Sequence, residues 1–168
     1  MRIGQGVDVH RFSDRPERRL VLGGVAITED DAQGLEGHSD ADAVAHAIAD
    51  AVLGAAGLGD LGRHAPDTDP RWEGADSLEI LGRMVQLARE AGWTPVNADC
   101  TVVAERPRLA PYVDAMAGRL GSVLGVPVNV KATRAEGLGA LGRSEGIGCT
   151  AVVLMAALPG TRPPNGDR

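Results

Sequence analysis

Asp8 and His10 stand two residues apart in the run MRIGQGVDVHRF, and His46 stands midway between Asp42 and Asp50 in HSDADAVAHAIAD, residues 38–50. Side chains alternate along a strand, so a strand over residues 2–10 turns Gly4, Gly6, Asp8 and His10 to one face and Val7 and Val9 to the other. Positions four apart share one side of a helix, so Asp42, His46 and Asp50 form a polar stripe on a segment otherwise covered by Ala, Val and Ile. A helix that apolar is expected to be buried, and its carboxylates and imidazole then need partners. A divalent cation supplies one. Asp, His and His form a mixed oxygen and nitrogen set suited to zinc, with a fourth tetrahedral position open for substrate, as in a catalytic site. Taken singly, Asp8 and His10 read as an edge-strand pair and His46 as a packed core histidine; their convergence favours the metal.

The elements that must position these residues follow from periodicity and punctuation. Ser39 and Asp42 have capping-box spacing, which predicts a helix over residues 39–56. Two short strand pieces flank Gly23-Gly24. Residues 57–70 (GLGDLGRHAPDTDP) have neither a helical nor a strand period and read as a polar loop. Asp76 with Glu79 reads as a cap, and Leu78, Leu81, Met84, Val85 and Ala88 trace an amphipathic helix ending at Gly92. A strand over 96–104, a helix over 111–124 and strands over 128–132 and 147–158 complete the chain. The mixture predicts an α+β two-layer sandwich, a mixed β-sheet with helices on one face. Residues 1–158 are expected to form a single domain, and 159–168, with three prolines and two glycines, a disordered tail.

Composition narrows the function. With 168 residues there is room for one full core. Two Trp, one Tyr and one Phe leave no aromatic platform for stacking bases, and 17 Lys plus Arg against 23 Asp plus Glu give a net charge of −6, so nucleic acid is not expected as a partner. A local basic pocket can still hold a small phosphorylated ligand. Cys100 and Cys149 lie in apolar runs without ligand spacing and read as buried thiols. No run of 18 apolar residues occurs, so neither export nor membrane insertion is expected and a cytoplasmic location is.

Two tempting motifs lack their context. GLGDLG at 57–62 and GLGALG at 137–142 match the dinucleotide fingerprint, but the first follows a helix and the second leads toward a strand. Ser39 beside His38 has no nucleophile-elbow sequence and reads better as a helix cap.

In order along the chain, DVHRF, GHSDADAVAHAIADAVLGAAGLGDLG, APDTDP, GADS and KATRAEGLGALGRSEGIG resemble the 2-C-methyl-D-erythritol 2,4-cyclodiphosphate synthase family over about residues 1–157. The resemblance implies a homotrimer with active sites between subunits, turning 4-diphosphocytidyl-2-C-methyl-D-erythritol 2-phosphate into the cyclic diphosphate and CMP. It places one zinc per subunit on Asp8, His10 and His46, and a second ion, Mg2+ or Mn2+, on Glu136. It sets His38 and Ser39 at the phosphate end of the substrate, and Asp60, Leu61, Gly62, Ala65, Asp67 and Asp69 around the methylerythritol. Ala104, Arg108, Leu109, Ala132 and Thr133 then hold the cytidine half, with Arg108 where the family has a lysine. His38, Thr133, Arg134 and Glu136 carry the catalytic roles, although Arg134 stands where the family has its middle threonine. Ala65 and Ala140 replace aromatic residues, and Arg143 keeps the position of a phosphate ligand in the central cavity. Two other readings are a metal-dependent phosphohydrolase acting on a nucleotide diphosphate and a metal-stabilised trimeric binding module without turnover.

Overall fold

Two glycines decide how closely the first strand and the first helix approach. In the computed structural model, which describes residues 1–30 and 32–160, β1 (Arg2–Arg11) lies directly against α1 (Ala43–Ala56). A Cβ on Gly4 would collide with the carbonyl oxygen of Ala51, and one on Gly6 with that of Ala47. Because β1 and α1 touch backbone to backbone at Gly4 and Gly6, the next residues on that face, Asp8 and His10, meet the N-terminal part of α1, where His46 sits.

After β1 come the two-stranded ribbon β2 (Val21–Leu22) and β3 (Val25–Ala26), then α1, the single turn α2 (Leu61–His64) and a 3-10 turn over Pro70–Trp72. The rest is α3 (Ser77–Glu90), β4 (Trp93–Val103), α4 (Val113–Leu124), β5 (Val128–Thr133), the single turn α5 (Gly139–Gly142) and β6 (Gly146–Ala157). The main sheet has the order β1-β6-β4-β5. Its β1–β6 and β6–β4 pairs are antiparallel and its β4–β5 pair is parallel, joined by a crossover through α4. The expected mixed sheet with helices on one face is therefore present. Ile147, Cys149, Ala151, Val153 and Met155 of β6 are buried beneath the helices.

With aromatics scarce, small and aliphatic side chains fill the core. Eleven of the residues of α1 are buried, most of them alanine or valine, which lets the helix sit flat on the sheet. On α3, Ile80, Leu81, Met84, Val85 and Ala88 form the inward stripe. Among the described residues nothing covers the opposite face of the sheet: Ile3 is 72% and Val9 61% exposed, and Val7 and Val152 are exposed beside them. Among the described residues no helix is long and apolar enough to cross a membrane.

Two local expectations are corrected. The helix does not begin at Ser39, because Ala41 has a left-handed backbone (φ 59°) that no helix can run through; Asp42 is the cap and accepts from Val44 N and Ala45 N. Residues 57–70 are not wholly irregular, since Asp60 caps the turn of α2. GLGALG, as expected, leads toward a strand, β6; after β5 it closes only into the four-residue turn of α5 and opens no full helix. Most of the tail expected to be disordered, residues 161–168, lies outside the described residues.

Candidate active site

Asp8, His10 and His46 converge. His10 Nε2 lies 2.9 Å and His46 Nδ1 3.2 Å from the same oxygen, Asp8 Oδ2, and the two nitrogens are 3.4 Å apart. Donors bonded to zinc at about 2.0–2.1 Å in a tetrahedron are separated by about 3.3 Å, so the three atoms already have the spacing of one face of such a site. Among the described residues this is the only group of three or more acidic, His or Cys side chains so placed. The outer ring nitrogens are anchored too. His10 Nδ1 meets the Glu36 carbonyl at 2.6 Å, and His46 Nε2 meets Ser77 Oγ at 2.9 Å, the kind of outer contact that orients a metal-ligating imidazole.

Burial alone would raise the Asp8 carboxyl, but hydrogen bonds and positive charge from His10 and His46 outweigh it and hold the group far below the usual carboxylate range. Burial would lower His10, and the Asp8 carboxylate overrides it, so its imidazole is raised above 6.5. A pair that stabilises positive charge beside a carboxylate is well suited to exchange a proton for a metal ion.

Two hollows open beside this group. One, of about 140 Å³, is walled by His10, His38, Ser39, His46, Leu61 and Trp72 among others. The second, of about 460 Å³, runs from Asp8, His10, His46 and Asp50 to Leu61, Gly62, Ala65 and Asp67. Asp50 also accepts Leu61 N at 2.6 Å, which ties α1 to the start of α2, and burial raises its carboxyl above the ordinary value. A third cleft, of about 310 Å³, lies elsewhere and shares no lining residue with these two. Ala104, Pro107, Arg108, Leu109, Ala110, Ala132, Thr133 and Arg134 line it. Its wall carries two guanidiniums and no carboxylate, and neither Arg108 nor Arg134 enters an ion pair among the described residues.

The YgbB family pattern matches residues 1–156. The chain belongs to this family. A 2-C-methyl-D-erythritol 2,4-cyclodiphosphate synthase of Symbiobacterium thermophilum is 58% identical to it over 159 residues, 93% of this chain and 99% of that one. The bifunctional IspDF of Campylobacter jejuni superposes with a TM-score of 0.88 at 40% identity, over 96% of this chain and 43% of that one. A CDP-bound structure of 2C-methyl-D-erythritol-2,4-cyclodiphosphate synthase gives a TM-score of 0.82 at 36% identity, over 92% of this chain and all 100% of the other. The resemblance read from the sequence blocks therefore holds at the level of the family.

Within this YgbB-family chain the expected site residues fall into two groups and a remainder. His38, Ser39, Leu61, Gly62, Ala65 and Asp67 gather around the Asp8–His10–His46 group. Ala104, Arg108, Leu109, Ala132, Thr133 and Arg134 gather around the third cleft. Glu136 is exposed two residues beyond Arg134, with a left-handed backbone (φ 52°), and does not join the metal group of its own chain. Asp60 is spent on the cap of α2, accepting Arg63 N. Asp69 pairs with Arg71 at 2.6 Å, which holds its carboxyl below the usual range. Arg143 pairs with Glu145 at 2.7 Å. Asp42, placed by periodicity on the polar stripe with His46, instead turns away, fully buried, and accepts Gly23 N at 2.8 Å and Gly24 N at 2.6 Å as well as the two helix amides. Burial pushes its carboxyl up to about 6 against these donors.

Sequence reasoning missed Ser77 and the Glu36 carbonyl. Ser77 lay inside the GADS block, but its distance from His46 in the chain gave no periodic signal. A backbone carbonyl leaves none at all.

Proposed function

We propose that this protein is a cyclising phosphorus–oxygen lyase that converts 4-diphosphocytidyl-2-C-methyl-D-erythritol 2-phosphate into 2-C-methyl-D-erythritol 2,4-cyclodiphosphate and CMP, as a homotrimer in the cytoplasm. The observation that carries this reading is the Asp8–His10–His46 group, with donor atoms 2.9–3.4 Å apart, in a chain that spans 99% of a synthase of that name.

In the reaction an oxygen of the 2-phosphate forms a bond to the β-phosphorus, the bond from that phosphorus to the oxygen of CMP breaks, and CMP leaves with the electron pair. No water is consumed. Nucleophile and target are both anions, so the barrier falls when charge is neutralised and the groups are held in line. Zinc on Asp8, His10 and His46, with Mg2+ or Mn2+ beside Glu136, supplies Lewis acidity to the phosphate oxygens when bound. A lone exposed carboxylate suits the second ion, since Mg2+ is commonly held by one or two carboxylates together with substrate phosphates. His38 and Ser39 border the hollow where the 2-phosphate end would lie. Leu61, Gly62, Ala65 and Asp67 shape the wall for the methylerythritol. Arg108 and Arg134 place two fixed positive charges along the cytidine diphosphate, and Thr133 adds a hydroxyl donor. An ionised phosphate is already a nucleophile, so the site needs no general base.

The metal group and the arginine cleft do not meet within one chain, which supports an active site shared between copies. The uncovered apolar row of Ile3, Val7, Val9 and Val152 offers a surface for the second copy. Phosphorus NMR of the products, with zinc-loaded protein, Mg2+ and the diphosphocytidyl substrate, tests the reaction. The expected spectrum holds CMP and a cyclic diphosphate in equal amounts. CMP with a linear diphosphate alone would make the protein a phosphohydrolase, and no CMP would make it a binding protein.

A further inference from the structure

The two imidazoles of the metal group are anchored in different ways. His10 Nδ1 meets the Glu36 carbonyl at 2.6 Å, and a carbonyl only accepts, so Nδ1 carries a proton and Nε2, turned to the Asp8 carboxylate, is the nitrogen at which a second proton and a metal compete. His46 Nε2 meets a hydroxyl, Ser77 Oγ, at 2.9 Å, and a hydroxyl can donate or accept. The next partner along decides the direction. Ser77 Oγ donates to Asp40 Oδ1, and a carboxylate has no proton to return. The single hydroxyl proton of Ser77 is thus committed to Asp40, and toward His46 the oxygen can only accept. His46 Nε2 then carries a ring proton, and Nδ1, 3.2 Å from Asp8 Oδ2, is the nitrogen left for a metal.

Asp40 is held in that orientation from both sides. Its Oδ2 accepts Ser77 N at 3.2 Å and its Oδ1 accepts Asp42 N at 3.2 Å. Ser77 is 1% exposed, so solvent does not compete for its hydroxyl. Ser39 Oγ stands further off, 3.3 Å from both His46 Nε2 and Ser77 Oγ; it accepts Ala41 N, and its own proton can go to the second lone pair of Ser77 Oγ, which leaves Nε2 the donor toward Ser77.

We propose that Ser77 and Asp40 are positioning residues, a relay that fixes the tautomer and orientation of His46 so that Nδ1 is ready for a divalent cation before the ion arrives. The proposal rests on the reading of Asp8, His10 and His46 as metal ligands. Ser77 opens α3, so the relay makes the packing of α3 on α1 part of the metal site, and neither residue touches the reacting phosphates. Without the relay, His46 is free to carry its proton on Nδ1 and donate it to Asp8, the arrangement that blocks a metal.

The test measures zinc affinity of the intact protein by competition with a chromophoric chelator, and the His46 tautomer of the metal-free protein by 15N NMR of the imidazoles. Ser77→Ala is expected to weaken zinc binding about 10- to 100-fold, as loss of an outer-sphere partner typically does, and to move the His46 proton to Nδ1. Ser77→Thr keeps the hydroxyl and is expected to stay within about threefold of wild type. Asp40→Asn brings an amide donor against Ser77 N or against Ser77 Oγ and Asp42 N, and is expected to resemble Ser77→Ala. The His10 tautomer stays unchanged in all three. The relay is overturned if Ser77→Ala keeps wild-type affinity and the Nε2 proton, or if Ser77→Thr falls as far as Ser77→Ala. Failure of the wild-type protein itself to bind zinc would instead overturn the metal reading, and the proposal with it.

Discussion

At the scale of single residues, one carboxylate oxygen facing two imidazoles makes a site whose occupancy depends on protons. His10 is raised above 6.5, so in the metal-free protein its contribution to stability is complete below that value and is lost as pH rises through the raised one. Asp8 is lowered, so its contribution is present above 3.8 and lost only in strong acid. Protons therefore compete with the metal at His10 up to a higher pH than for an ordinary histidine. Differential scanning calorimetry with and without zinc is expected to show a Tm increment that grows as pH rises above the ordinary histidine value of 6.5, as coupled proton release requires. A constant increment would contradict proton competition. In the other cleft, Arg134→Ala removes one of two unpaired guanidiniums. Titration calorimetry is expected to give about tenfold weaker CDP binding, the scale of one charge-assisted hydrogen bond, with a shallower dependence on salt. The D-x-H pair was legible because strand alternation alone puts both side chains on one face. The partners that anchor the rings were not legible, because Glu36 acts through its backbone and Ser77 arrives from another helix.

The elements hold these residues through contacts that the hydrophobic pattern only half reveals. Periodicity located every long helix and strand, since buried rows such as Ile80, Leu81, Met84, Val85 and Ala88 repeat at helical spacing. It failed at the start of α1, where the capping-box spacing pointed to Ser39 as the cap and the left-handed Ala41 moves the start to Asp42. Asp42 joins two elements, serving amides of α1 and of the turn between β2 and β3. Asp42→Ala is expected to cost about 2–4 kcal/mol in urea unfolding, because it removes a helix cap and leaves buried N–H groups without an acceptor. The glycines of β1 act in the opposite sense, by occupying no space. Gly6→Ala is expected to lower stability by about 3 kcal/mol or more and to weaken zinc binding with it, since the strand must move off α1 and carry Asp8 and His10 away from His46. A thermal melt and a zinc titration on this variant check both; lost stability with unchanged zinc affinity would break the link between helix contact and metal site.

For the whole molecule, a net charge of −6 and a substrate rich in phosphate are reconciled by where the charges sit. Arg108 and Arg134 are gathered on one cleft without a carboxylate in its wall, while Asp8, His10 and His46 would hold a cation at the other. In the proposed shared site neither half suffices alone, and a pairing of copies is not readable from periodicity, since exposed Ile3, Val7 and Val9 look in sequence like ordinary strand residues. Mixed assemblies separate a shared site from a site within one chain. His46→Ala disables the metal group, and Ala132→Trp fills the cleft, so each variant alone is expected to be inactive. Co-refolded together with zinc and Mg2+, the two are expected to regain a substantial fraction of wild-type CMP release, because some interfaces then pair an intact metal group with an intact cleft. Mixtures that co-assemble yet stay as inactive as the separate variants would contradict an active site built between copies.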